Sequence, residues 1–316
     1  MIFFIMQQTM FFFIPLLIVA LGGMFSERSG IVNIALEGIM VMGAFTSILF
    51  ISTFQHMMPG QTTLLLGLLI AMATGVFVAC FHAYACINLN ANQTISGIAI
   101  NIFAPAFAIY TARIVGQTQQ VFFAPQMFLI SSVPILGEIP IIGPSFFQGA
   151  YITTYIGIGV LVVSWFVLYK TRFGLRLRSC GEHPQAADSV GINVYRIRWA
   201  AVLISGALAG MGGLVLIVPT SIAFNATVSG YGFLAIAVLI FGQWKPLRII
   251  LAAFFFGLMQ AITASHTVIG FLRDIAIPAH FYHMTPYIAT LVLLAFTSKR
   301  SAAPRALGQP YEKGLR

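Results

Sequence analysis

The chain has 316 residues, of which 59% are hydrophobic and only 7% are charged, and its mean hydropathy is +0.96. Soluble globular domains carry about 25% charged residues. A chain with so few charges could not cover its own surface in water. The composition therefore excludes a soluble globular protein and predicts a polytopic membrane protein.

Nine apolar segments have lengths that suit membrane-spanning helices or come close to them. They cover residues 10–25, 31–51, 63–87, 95–113, 149–169, 199–219, 231–243, 249–265 and 285–298. We therefore predict an all-α, polytopic helix bundle with about eight to ten transmembrane helices. Residues 1–298 are expected to form one transmembrane domain, and residues 299–316 a basic tail. No Lys or Arg precedes Arg28, so the first segment is a poor signal peptide and is expected to remain in the mature protein.

The stretch FSERSGIVNIALEG, residues 25–38, places polar and charged residues between two apolar segments. Glu27 and Arg28 are predicted to form a local ion pair at the membrane interface. Asn33 and Glu37 are four residues apart and would share one face of a helix that begins at residue 31.

Gln93, Gly97 and Asn101 repeat this spacing in the fourth apolar segment. Facing the bundle interior, the polar side chains of both segments could hydrogen-bond a substrate on its path. They could instead bind neighbouring helices, and this is the favoured interpretation for each residue taken singly. The residues predicted to line a substrate path are Asn33, Glu37, Gln93 and Asn101.

The histidine and cysteine residues do not predict a metal site. Cys80, His82 and Cys86 lie in one apolar segment, but a spacing of two residues places Cys80 and His82 on different helix faces. His280 and His283 have no evident third ligand. The three cysteines of the chain include no C-x-x-C motif, so neither a disulfide framework nor a zinc site is indicated.

The basic residues predict the orientation of the chain. Thirteen of the sixteen Lys and Arg residues lie in residues 170–198, 244–248 and 299–316. An even number of predicted spans separates these segments, so all three lie on one side of the membrane. The positive-inside rule makes this side the cytoplasm, and the C-terminus is predicted to be cytoplasmic. The segment 114–148 has no basic residue and is predicted to be an external loop with short packed elements; nine spans also place the N-terminus outside.

The basic loop 170–198 contains a predicted short helix. The run Pro184-Gln185-Ala186-Ala187-Asp188 has proline in the first turn, and Gly191 follows just past the end. Arginines flank this helix on both sides. A rigid amphipathic helix on the cytoplasmic face could dock a soluble partner; alternatively, the loop only meets anionic lipid headgroups.

Two later segments differ from an ordinary spanning helix. The small residues of SGALAGMGG, residues 205–213, allow other helices to approach closely. The segment 231–243 is short for a helix that must cross about 30 Å of hydrocarbon. It is predicted to be a broken or re-entrant helix, of the kind found where backbone lines a cavity.

No motif predicts that this chain supplies its own energy. A P-loop needs a lysine that follows a glycine, and none of the four lysines does. Ionisable residues in the predicted spans are few: Glu37 lies about two turns inside the second span, and Arg113 lies at a span end. Arg273 and Asp274 fall in the predicted external loop 266–284. One carboxylate is thin support for proton coupling, so the pattern indicates a translocation path driven by a partner.

The run GEHPQAADSVGINVYRIRWAAVLISGALAGMGG, residues 181–213, resembles the coupling region of permease subunits of bacterial ABC importers. That family serves branched-chain amino acids, ribose-type sugars and nucleosides, and its pattern is G-E-N-P-x-A-A-x-x-x-G-I-x-V followed by S-G-A-L-A-G. His183 stands where the family has Asn. The resemblance implies contact with an ATPase subunit through Gly181, Glu182, His183, Pro184, Ala186, Ala187 and Gly191.

The runs SERSGIVNIALEGIMVMGAF, residues 26–45, and ANQTISGIAIN, residues 91–101, resemble the nucleoside branch of the family. This implies a multi-pass permease of the bacterial plasma membrane and three kinds of partner. These are an ABC ATPase, a second related permease, and an extracytoplasmic substrate-binding lipoprotein or periplasmic receptor. The partner ATPase would bind ATP and Mg²⁺, so no cofactor and no catalytic residue is expected in this chain, and nucleic acid is not an expected partner.

Two alternatives stay open. The same architecture could import ribose-type sugars or branched-chain amino acids. A standalone secondary transporter could use Glu37 for proton coupling, which copurification with an ATPase or vanadate-sensitive uptake would distinguish from an ABC importer.

Overall fold

The computed structural model describes residues 2–58, 60–134, 136–140, 143–266, 268, 284–286, 288–291 and 302–313. Within these residues the chain is mostly helical, and the bounds of ten α-helices are defined. These are α1 (Ile2–Arg28), α2 (Leu36–Phe54), α3 (Gly60–Ala83), α4 (Gln93–Gly116), α5 (Ile152–Lys170), α6 (Arg172–Glu182), α7 (Pro184–Ser189), α8 (Val194–Thr220), α9 (Tyr231–Phe241) and α10 (Pro246–Ala264).

Seven of these helices are long and apolar enough to cross a membrane: α1, α2, α3 with its π-helical extension to Asn88, α4, α5, α8 and α10. They confirm seven of the predicted spans and the all-α membrane fold. In α1 and α8, 89% and 83% of the most apolar stretch is buried, against 17% in α4. The bundle is therefore built around α1 and α8, and α4 presents most of its apolar surface outward, where lipid would solvate it.

Glycines bring α2 and α3 into backbone contact with the centre of α8. Gly210 lies against the carbonyl of Ala71 in α3, and Gly43 of α2 lies against Gly210 itself. One helical turn earlier, Gly206 meets Gly75. The small-residue run 205–213 thus forms the close helix contacts expected of it. Dispersion between tightly packed backbones is the main attraction between helices in lipid, which offers no hydrophobic driving force.

Three basic segments of the sequence lie at one end of the bundle, which we call the basic end. The Ala306 amide donates to the Gly181 carbonyl at 2.9 Å, and the Gly308 amide donates to the Gly30 carbonyl at 2.9 Å. The Arg28 guanidinium donates to the Trp244 carbonyl at 2.9 Å. Residues 170–198, 244–248 and the described part of the tail, 302–313, are therefore together, as the parity of the spans predicted.

The opposite end, which we call the distal end, carries the connection between α4 and α5. Here β1 (Val121–Phe122) pairs with β4 (Ala223–Phe224), and β2 (Leu129–Ser132) pairs with β3 (Gln148–Tyr151), both antiparallel. The Gln55 side chain accepts from the Ala124 amide at 2.9 Å and so anchors this connection to α2. The prediction of short packed elements in residues 114–148 is confirmed.

One predicted span begins later than expected, one is a half-helix as predicted, and one lies mostly outside the described residues. The second was expected from residue 31, but α2 begins at Leu36, and residues 31–33 have no regular structure. The helix α9 has 11 residues, which at 1.5 Å per residue gives roughly 16 Å, about half of a bilayer core. It is therefore a half-helix, as the length of segment 231–243 predicted. Of the ninth predicted span, 285–298, only residues 285–286 and 288–291 are described.

Candidate functional site

The short helix α7 stands at the basic end with one side packed and the other side free. The helix begins at Pro184, a position where the missing N–H of proline costs nothing because a first-turn N–H has no partner within the helix. It ends before Gly191, whose φ of +83° suits glycine. Pro184 and Ala187 are buried, whereas Ala186 and Val190 are exposed, Val190 by 75%. The predicted short helix is confirmed, and it presents a small, partly apolar surface outward.

The remaining residues predicted for coupling form the base of α7. Gly181 is buried: an added Cβ there would overlap the Arg28 carbonyl, so only glycine allows this approach of α6 to the end of α1. Glu182 is partly buried, and His183 is exposed. Gly191 is exposed and has open space around it.

The C-terminal segment 302–313 holds this base in place, and we call it the tail strap. Tyr311 is buried in a small apolar cluster with Cys180, Ala187 and Val194. The Tyr195 hydroxyl donates to the Tyr311 carbonyl at 3.2 Å. Burial in this cluster raises the pKa of the Cys180 thiol to about 11, so the thiol stays protonated at neutral pH. The strap therefore packs directly against the inner side of α7.

Arg198 connects the strap to the start of α2. Its side chain is 1% exposed, although it is charged. Its Nε donates to the Ser29 carbonyl at 3.2 Å and its Nη1 donates to the Gln309 carbonyl at 3.3 Å. One guanidinium thus joins α8, the 29–35 segment and the tail strap, since five donors in a fixed plane can serve several carbonyls.

Glu27 and Arg28 both bind Trp244, which follows α9. The Glu27 carboxylate accepts from the indole Nε1 at 2.6 Å, and the Arg28 guanidinium donates to the Trp244 carbonyl. The prediction of an ion pair between Glu27 and Arg28 is therefore wrong. Each charged group is instead satisfied by a residue more than 200 positions away, and the pair attaches α1 to the end of the half-helix.

Glu37 occupies the other end of the same half-helix. Its carboxylate oxygens accept from the backbone amides of Gly230 at 2.9 Å and Gly232 at 2.6 Å. The first amides of a helix lack partners within the helix and carry a partial positive charge, so a carboxylate is favourable there. Gly232 lies against the Glu37 backbone, with no room for a Cβ.

The amide side chains predicted for the substrate path hold the 29–35 segment in place. Gln93 accepts from the Val32 amide at 2.7 Å, and Asn101 accepts from the Gly38 amide and donates to the Ile34 carbonyl. Both lie on one face of α4, as predicted. Asn33 donates to Ser205 at 2.9 Å.

Asn33 precedes α2, so the prediction that Asn33 and Glu37 share one helix face is wrong. The four residues bring helices together, and this is the interpretation favoured for each from the sequence. Their role in a substrate path stays a prediction.

His82 also belongs to this set of contacts. Its ring nitrogens lie 3.0 Å from the Ser96 hydroxyl and 3.0 Å from the Val32 carbonyl. Among the described residues no group of three His, Cys, Asp or Glu side chains is placed to hold a metal ion. His280 and His283 lie outside the described residues.

A cavity of about 360 Å³ lies between the distal ends of α8 and α10 and the start of α9. It is lined on one side by the connection from α8 to α9. On the other side are Phe12 of α1 and Gln260 of α10. None of Asn33, Glu37, Gln93 and Asn101 is among its lining residues, but Glu37 holds the backbone at its inner edge.

The connection from α8 to α9 exposes alternate side chains. Asn225, Thr227 and Ser229 are exposed toward the cavity, whereas Phe224, Ala226 and Val228 are buried. The backbone here is bent rather than extended, because Ala226 and Ser229 have positive φ angles of 56° and 54°. The prediction from sequence missed these three polar residues. The available signal was the polar run SIAFNATVSG, residues 221–230, directly before a segment too short to span.

Comparison with known proteins places the chain among transport proteins. Residues 5–295 match the family described as "Branched-chain amino acid transport system / permease component". The chain is 43% identical over 313 residues to the guanosine ABC transporter permease protein NupQ of Bacillus subtilis (strain 168), covering 99% of this chain and 97% of that protein.

Two proteins of Lactococcus lactis subsp. cremoris (strain MG1363) are also similar. The nucleoside ABC transporter permease protein NupC is 41% identical over 95% of this chain and 93% of its own length. The nucleoside ABC transporter permease protein NupB is 25% identical over 78% of this chain and 68% of its own length. The chain is therefore similar to two permease proteins of a single organism, and it is much more similar to NupC than to NupB.

Proposed function

The chain belongs to the permease-component family of branched-chain amino acid transport systems, and we propose that it imports nucleosides as one membrane subunit of an ABC transporter. The proposed substrate class rests on the similarity to NupQ and NupC. Both are more than 40% identical to this chain over nearly the full length of each protein, and their names specify guanosine and nucleosides. The polar cavity at the distal end is compatible with a hydroxylated substrate.

The helix α7 is proposed to receive the motion of an ATPase subunit. It is an exposed helix of the basic end with one side packed, and residues 181–191, which include it, carry the coupling resemblance. The basic end would then be cytoplasmic in a bacterial plasma membrane, in agreement with the positive-inside rule. ATP and Mg²⁺ would be bound by the partner, and this chain would contribute no cofactor site and no hydrolytic residue.

The second permease is proposed to be a different, related chain. Lactococcus lactis has two nucleoside permease proteins, NupC and NupB, that are both similar to this chain but at 41% and 25% identity. A heterodimer of two such chains would place two α7 helices against two ATPase subunits. A substrate-loaded receptor would dock at the distal end, where the cavity lies.

The contacts of the structure suggest how motion at α7 reaches the cavity. Gly181 and the tail strap connect α7 to residues 28–31, and Glu27 and Arg28 connect that region to Trp244 at the end of α9. The start of α9 lines the cavity. The half-helix α9 therefore connects the basic end to the cavity, and we propose that its displacement opens or closes the path.

Uptake of labelled guanosine and adenosine, in native cells with and without this chain, tests the proposal. Uptake is expected to disappear with the chain, and unlabelled ribose or leucine is not expected to compete. Unchanged nucleoside uptake after deletion would refute the substrate assignment, and competition by ribose or leucine would favour the sugar or amino-acid alternative.

Glu37→Gln distinguishes the ABC importer from a proton-coupled carrier. Glutamine keeps one acceptor oxygen for the start of α9 but turns an NH₂ group toward the other amide. Guanosine uptake is expected to fall roughly tenfold, the effect of about one lost charge-assisted hydrogen bond, and to keep its pH dependence. Glu138→Gln, an exposed change at the distal end, serves as the control. Complete loss of uptake, or residual uptake that no longer depends on pH, would favour proton coupling through Glu37.

A further inference from the structure

We propose that the cavity between α8, α9 and α10 is a nucleoside-binding site within the membrane path. In this site polar side chains from the connection 221–230 and from α10 would bind the ribose, and Phe12 would stack on the base. The inference rests on the proposed function and adds the location of the site and the part of the substrate that each side recognises. It assigns these roles to residues other than the four predicted from the sequence.

The first observation is the contrast between two sets of polar side chains. Asn101, Gln93 and Glu37 hydrogen-bond to backbone groups of neighbouring segments. The side chains of Asn225 and Gln260, in contrast, have no hydrogen-bonding partner in the described part of the protein. Asn225 is exposed and Gln260 is partly exposed on the cavity wall, so both amides are open to a ligand that enters the cavity.

The size and shape of the cavity suit one small ligand. Its volume of about 360 Å³ lies within the range of about 300–1,000 Å³ that is usual for ligand sites. The side chains of Asn225, Thr227 and Ser229 all line the cavity and present a row of donors and acceptors. A ribose carries several hydroxyl groups on one small ring, and each hydroxyl can donate and accept, so such a row matches it.

An aromatic surface lies beside the polar side. Phe12 lines the cavity and is partly exposed, and Tyr231, which also lines the cavity, packs next to it with ring centroids 6.3 Å apart. Aromatic rings stack on any nucleobase because every base has a π-face. A polar row with an aromatic ring beside it fits a nucleoside better than a free sugar or an aliphatic amino acid, neither of which has a planar ring to stack.

The polar row is held at both ends. Phe224 pairs with Val121 through β4 and β1, and its buried ring packs near Phe45. At the other end Gly230, with a φ of +79°, donates to Glu37. A segment restrained at both ends keeps its backbone in place, so little backbone entropy is lost when a ligand binds.

The test uses the complete transporter, with ATPase, second permease and receptor, in native cells. Asn225→Leu combined with Gln260→Met removes the free amides at similar volume, and we expect guanosine uptake to fall roughly tenfold or more. Phe12→Ala should also lower uptake, whereas Phe12→Tyr, which keeps the ring, should retain most of it. Guanosine binding by the receptor alone should not change. Gln126→Met, an exposed Gln at the distal end outside the cavity, is the matched control.

A second measurement does not depend on the stability of these variants. In Ser229→Cys, which exchanges one atom, a water-soluble thiol reagent added outside should label the new cysteine, and guanosine should slow the labelling. If wild-type cells do not take up guanosine, the proposed function fails. If they do, but the cavity variants transport normally or guanosine does not slow the labelling of Ser229→Cys, the site assignment is overturned while the proposed function stands.

Discussion

Replacing Gly210 by valine is expected to reduce the amount of folded protein in the membrane about tenfold, the largest effect we predict for a single substitution. A Cβ at this position would overlap the carbonyl oxygen of Ala71 and would crowd the Cα of Gly75. Both obstacles are backbone atoms of α3, a long helix that cannot move aside locally. Overpacking usually costs about 1–3 kcal/mol, and a clash with backbone rather than with a flexible side chain should place this variant at or above the upper end.

The measurement is the amount of monodisperse protein after mild detergent extraction, together with its thermal unfolding midpoint. Gly159→Val in α5 is the matched control, since Gly159 is exposed and no atom lies within 4 Å of an added Cβ. It should extract like the wild type. Normal abundance of Gly210→Val would mean that α2, α3 and α8 are not packed as closely as the structure places them.

Ala186→Arg is expected to stop transport while the chain remains in the membrane at normal abundance. Ala186 is exposed on α7, and its substitution leaves the buried side of that helix intact. If α7 enters a cleft of the ATPase, an arginine there adds bulk and an unpaired charge to a desolvated contact. Guanosine uptake should fall tenfold or more, which corresponds to about 1.4 kcal/mol or more of lost docking energy.

Copurification of the ATPase with the tagged permease shows whether the loss arises at docking. The control is Ala91→Arg, which makes the same exchange at an exposed position of the basic end between α3 and α4. Substitutions at Gly181 or Pro184 would be less informative, because both residues are buried and would also disturb the packing on Arg28 and the tail strap. An Ala186→Arg variant that retains the ATPase and full uptake would contradict the assignment of α7 as the coupling helix.

Hydropathy and charge predicted most of the architecture. Seven spans, the half-helix at 231–241, the grouping of the basic segments at one end and the short helix after Pro184 are all confirmed. These features depend on local quantities: the length of an apolar run, the position of a proline or glycine, and the parity of spans between charges. The start of α2 was predicted too early, because residues 31–35 are as apolar as the helix that follows. Hydropathy therefore does not change at the residue where the helix begins.

The sequence by itself determined that this chain lies in a membrane and which of its residues are polar in an apolar setting. Only the tertiary structure decided what those polar residues do. Glu37 binds Gly230, 193 positions later, and Glu27 binds Trp244, 217 positions later. Inside a membrane protein a polar group needs a partner, and pairing over such separations depends on how the helices assemble. The same assembly leaves Asn225 and Gln260 facing a cavity.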